Sequence, residues 1–130
     1  MKTLLIIKSA VESGVGLLFA CLPAWVFSLL FGEPLDSPLG ICASRIIGAA
    51  LFTLGLACWL ARNENRNPAA TGLIAALLFY DVAFVFILVA GRLGFGFSGI
   101  GLWPVVVLHS GLAVCSLLCL RKDTAVVGAG

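Results

Sequence analysis

Two side chains in this sequence could exchange a proton or hold a cation away from water, Asp81 and His109. Asp81 stands at the middle of an apolar run, LIAALLFYDVAFVFILVAGR, over residues 73–92. His109 is the single histidine and lies inside another apolar run, over residues 99–120. An ionised carboxylate accepts hydrogen bonds, and an imidazole can both accept and donate. The pair therefore suits a proton relay or a cation site. Its structural counterpart is a hydrogen bond that fixes helix register, worth on the order of 1 kcal/mol in lipid. Tyr80 and Ser110 adjoin the pair in sequence and offer further hydroxyls. Glu12 follows Lys8 by one helical turn, a spacing that predicts an ion pair near the start of the first apolar run. Arg45 and Arg92 fall at the opposite ends of their runs, where guanidinium groups reach lipid phosphates or helix termini.

The elements that must position these residues are helices long enough to cross a bilayer. A run of about 20 apolar residues spans its hydrocarbon core. Between residues 73 and 89, twelve Leu, Ile, Val and Phe residues surround Asp81. At roughly −0.3 to −0.6 kcal/mol each, they outweigh the roughly 2.5–3.5 kcal/mol cost of a central Asp. Four such spans are predicted, over residues 11–31, 41–61, 69–91 and 99–120. Pro23 should kink the first. The segments between spans are short and rich in turn residues: Gly32 to Pro38, Asn63 to Pro68, and the glycine-rich stretch from Gly91 to Gly99. Small residues recur at helical spacing on the first span (Gly16, Ala20, Ala24, Ser28) and on the second (Ala49, Thr53, Ala57, Ala61). Gly48 and Gly55 sit a heptad apart on a neighbouring face of the second. Such stripes let helices approach closely.

Composition agrees. Of 130 residues, 62% are hydrophobic and 11% charged, far from the roughly 25% charged residues of soluble domains. A net charge of +2 argues against nucleic acid as a partner. The five cysteines form no CxxC pair, and a lone histidine supplies neither a Cys/His zinc site nor paired haem ligands, so no metal and no cofactor is expected. A cleaved leader is not expected either, because Glu12 interrupts its apolar region and Phe19 stands where a small residue is usual. Lys2, Lys8, Arg62, Arg66, Arg121 and Lys122 lie on one side of this plan, and Arg45 and Arg92 on the other. The excess places both termini in the cytoplasm. At that orientation Asp81 and His109 share a depth near the bilayer centre, where ionisable residues mark function.

The second span carries Ser44-Arg45-x-x-Gly48-x6-Gly55-x3-Trp59-x2-Arg62. This pattern resembles one found in small bacterial four-span proteins and, more distantly, DoxX-type proteins and the four-span scaffold of fungal and animal sterol synthesis. In the last group, Arg45, Gly48 and the basic end of the fourth span at Arg121 are the matching positions. The resemblance implies a non-enzymatic tethering or accessory role. Glu12 is similar in position to the membrane-embedded glutamate of small multidrug-resistance transporters, without that family's aromatic cage.

The sequence thus predicts an all-α integral membrane four-helix bundle forming a single domain over residues 1–130, in the cell membrane (the inner membrane if the source is a bacterium). The expected function is that of an accessory or scaffold subunit without catalysis of its own, partnered by membrane lipids and by a second copy or a larger membrane protein. The alternative is a proton-coupled small-solute transporter working as an oligomer through Asp81 and His109.

Overall fold

The computed structural model describes the backbone of residues 1–64 and 67–127 and the side chains of residues 1–64 and 67–122. Arg66, counted above among the cytoplasmic basic residues, lies outside the described residues. The described chain is helical throughout: α1 (Lys2–Cys21), α2 (Pro23–Phe31), α3 (Pro38–Ala61), α4 (Pro68–Phe95) and α5 (Leu102–Val127). Four of these are long and apolar enough to cross a membrane, α2 being the short exception.

Local chemistry sets the boundaries. Ser37 caps α3 by accepting from the Gly40 N–H at 3.0 Å, and Asn67 caps α4 by accepting from Ala69 and Ala70 at 2.7 and 3.0 Å. Each cap precedes a proline, which loses nothing at the first position of a helix. Gly32 and Gly96, at φ 77° and 76°, end α2 and α4 in the left-handed conformation that glycine adopts without penalty.

Three expectations need correction. The first span does not begin at residue 11: the Leu-Ile run after Lys2 is already helical, so Lys8 and Glu12 lie well inside α1 rather than at its end. Pro23 does more than kink that span, since Leu22 leaves helical geometry (φ −128°, ψ 51°) and α1 and α2 become separate helices. The third span continues past Gly91 to Phe95. There the expected turn is shorter, and it docks: Ser98 donates to the Phe31 carbonyl at 3.0 Å and Gly101 to that of Leu29 at 2.8 Å. Carbonyls left over at the end of α2 thereby gain partners.

The helices pack mainly in two antiparallel pairs, α1 with α3 and α4 with α5. Contact between α1 and α3 is backbone to backbone. A methyl group at Gly48 would stand 2.6 Å from the Ala20 nitrogen and the Gly16 carbonyl, and one at Gly16 would stand 2.7 Å from the Gly48 carbonyl. The face of α3 that meets α1 therefore runs through Ser44, Gly48, Leu51, Gly55 and Cys58, all buried. Ala49 and Thr53, on the other small-residue stripe, are exposed. Two apolar clusters fill the interior. One gathers Phe19, Val26, Leu30, Leu51, Leu88, Leu102 and Val106, and the other Leu4, Leu5, Cys58, Ile74, Leu77 and Leu112.

Replacing Gly48 with leucine should lower stability by about 3 kcal/mol or more, since ordinary overpacking already costs about 1–3 kcal/mol and backbone cannot yield as a side chain does. Gly14→Ala, which meets nothing within 4 Å, should be neutral or slightly stabilising. Thermal unfolding of the two variants in detergent checks the contrast; equal midpoints would remove the close α1–α3 contact.

Candidate functional site

Between the two apolar clusters lies a polar layer. On α1 the inward stripe runs Leu5, Lys8, Glu12, Gly16, Phe19; on α4 it runs Ile74, Leu77, Asp81, Leu88; on α5 it runs Leu102, Val106, His109, Leu112. Each stripe places its ionisable residues at the same level. Lys8 and Asp81 are 0% exposed, Glu12 1% and His109 4%.

Asp81 is the hub. Its Oδ2 receives the Lys8 ammonium, and its Oδ1 lies 2.9 Å from His109 Nδ1. A carboxylate paired with an ammonium accepts, so the proton on the imidazole is assigned to Nδ1. When the ring is neutral, its other nitrogen, Nε2, then carries a lone pair. Donor atoms of Glu12, Asp81 and His109 all lie within 4.8 Å of one another. Glu12 Oε1 is buried without a hydrogen-bond partner among the described residues. Tyr80 is a neighbour of Glu12. Its ring meets that of His109 edge-on at 5.8 Å, and the Lys8 ammonium stands over it at 5.9 Å. Phe84 packs beside Tyr80 against the imidazole, its ring centroid 4.5 Å from that of His109 and 5.7 Å from that of Tyr80.

The structure thus brings together Asp81, His109, Tyr80 and Glu12. It adds Lys8, which sequence reasoning had assigned to a surface ion pair with Glu12. The helical spacing that puts Lys8 and Glu12 on one stripe with Gly16 was the signal for it. Ser110 does not join; its hydroxyl donates to the Val106 carbonyl of its own helix at 2.7 Å. Arg45 and Arg92 are exposed, Arg92 in the last turn of α4, and neither belongs to the buried layer.

The charges of this layer constrain one another. Removing charge from water is expensive, and a buried set is tolerated when it sums to zero. Lys8 and Asp81 cancel. What remains is Glu12 and His109, and the pair is neutral in two arrangements: protonated Glu12 with neutral His109, or ionised Glu12 with protonated His109. Both hold one proton. A divalent cation among Glu12, Asp81 and His109 would face the Lys8 ammonium, which already supplies the local positive charge.

Comparison of the chain with protein-family models, with curated proteins and with solved structures gives no match.

Removing one partner of a buried ion pair typically costs about 3–5 kcal/mol, whereas removing both is often near neutral. Lys8→Met should therefore unfold at clearly lower temperature in detergent, and the double variant Lys8→Met/Asp81→Asn should recover most of the loss. A double variant no more stable than Lys8→Met would contradict the pairing.

Proposed function

We propose that this chain is an integral membrane protein with both termini in the cytoplasm, and that its buried layer takes up and releases one proton in step with a small solute. Its helices support the membrane reading: they carry large apolar side chains outward as well as inward, among them Phe79, Phe86, Ile87 and Val107, each more than 60% exposed. With Lys8 buried, the positive bias rests on Lys2, Arg62, Arg66, Arg121 and Lys122 against Arg45 and Arg92.

The observation that carries the functional reading is the convergence of Lys8, Glu12, Asp81 and His109 in one layer. A hydrogen bond that fixes helix register needs two polar groups. Here a salt-bridged pair is accompanied by two further ionisable side chains, with atoms of Glu12, Asp81 and His109 all within 4.8 Å of one another, which is the composition of a relay. Movement of that proton between Glu12 and His109 relocates charge without changing the layer's sum, so a solute that contacts one of the two biases the other. A second reading, the accessory or scaffold subunit, keeps an observation of its own. Ala49 and Thr53 leave a shallow outward strip on α3 against which a second copy or a partner helix could pack. Crosslinking in mild detergent tests that reading.

Charge neutrality yields counts. In proteoliposomes monitored with a pH-indicator dye, proton uptake between alkaline and acidic conditions is compared with that of the native chain, so that the carboxylates common to all variants, such as Glu33, Asp36 and Glu64, cancel in the difference. Asp81→Asn and Glu12→Gln should each take up about one proton fewer than the native chain, because the layer is then neutral with no extra proton; Lys8→Met should take up about one more. Equal counts in all four proteins would overturn the relay. A reporter fused to the C-terminus should be active on the cytoplasmic side, and a translocated one would overturn the orientation.

A further inference from the structure

A cavity of about 340 Å³ adjoins the polar layer, walled by all five helices. Its walls are apolar, Phe19, Trp25, Leu29, Leu51, Val105 and Leu108 among them. Trp25 and Leu108 are also 54% and 41% exposed, so the cavity reaches the outer, apolar face of the molecule. Its polar end is formed by Tyr80 and His109. The His109 ring is nine-tenths buried, and its Nδ1 is held by Asp81, so Nε2 is the nitrogen left for the cavity.

We propose that this cavity binds a lipophilic molecule bearing a single hydroxyl, which enters between the apolar side chains and bonds to His109. Size follows from volume: a 150 Å³ apolar cavity holds benzene, so this one holds roughly a dozen non-hydrogen atoms. Head chemistry follows from the imidazole. Neutral His109 presents a lone pair at Nε2 and needs a donor; protonated His109 presents an N–H and needs an acceptor. A hydroxyl serves both states. A carboxylate would add an unpaired charge to an apolar chamber, and a pure hydrocarbon would leave the imidazole nitrogen unpartnered. The inference deepens the proton-linked reading by naming the class of solute, and it rests on that reading only for the coupling of binding to the proton.

The test uses the full chain in phosphatidylcholine nanodiscs with Trp59→Phe and Trp103→Phe, so that Trp25 is the sole indole. Quenching by 10-bromodecan-1-ol is compared with quenching by 1-bromodecane at equal mole fraction in the bilayer. The alcohol should reach half-saturation at a mole fraction at least tenfold lower. Val105→Phe, which fills the cavity and leaves the polar layer untouched, should abolish the difference. Equal quenching by the two probes, or an alcohol preference that survives Val105→Phe, would overturn the site and mean that alkyl chains merely partition around Trp25. Saturable, alcohol-selective quenching in a chain that exchanges no proton keeps the cavity site and removes the relay. Proton exchange with no preference between the probes does the reverse.

Discussion

The Lys8 ammonium held against Asp81 inside the helical core is the interaction on which the rest of the structure depends. Each of these groups alone would be untenable there, and together they cancel at close range where the low dielectric makes attraction strong. Their pairing ties α1 to α4, two helices that belong to different antiparallel pairs. His109 extends the same carboxylate's reach to α5. One acidic side chain therefore joins three helices at a single level. Dispersion between apolar faces has no such preference for register, because it is spread over many small, non-directional contacts.

The layered interior follows from that level. Above and below it, leucine, isoleucine, valine and phenylalanine close the core, and the polar residues find each other because water is shut out on both sides. The α1–α3 contact makes this feasible: Gly16, Gly48 and Gly55 let the two backbones meet, which sets Lys8 and Glu12 firmly on the inward face. The break at Leu22 lets the chain continue as α2, whose Trp25 and Leu29 wall the cavity beside the imidazole. Polar layer, glycine contact and helix break together put a titratable ring at the end of an apolar chamber.

Much of this was legible in the sequence, for identifiable reasons. The four long apolar helices followed from apolar runs separated by Pro38, Pro68 and the glycine-rich turn, since those residues interrupt helices locally whatever the tertiary context. Asp81 and His109 stood out because each is conspicuous within a run of apolar neighbours. Lys8 did not, because a lysine one turn before Glu12 at the edge of an apolar run reads as half of a surface ion pair. Its role is fixed by a residue 73 positions away, which no local pattern encodes. The choice of α3 face was similarly hidden: alanines at Ala49 and Ala57 and glycines at Gly48 and Gly55 both read as packing stripes, and the absence of any side chain on glycine decided between them only once α1 was present. The docking of the turn at Ser98 on Phe31 depends on where α2 ends, and that was invisible for the same reason.

The most direct test of the account is a site-resolved view of where the proton resides. Magic-angle-spinning NMR of the chain in bilayers, with labelled glutamate carboxyl and histidine ring, reports Glu12 and His109 separately as pH is varied. The account predicts complementary behaviour while Lys8 and Asp81 stay charged: wherever the imidazole is protonated Glu12 is ionised, and wherever Glu12 is protonated the imidazole is neutral. Finding Glu12 and the imidazole protonated at the same time, anywhere in the range in which the protein is folded, would contradict it.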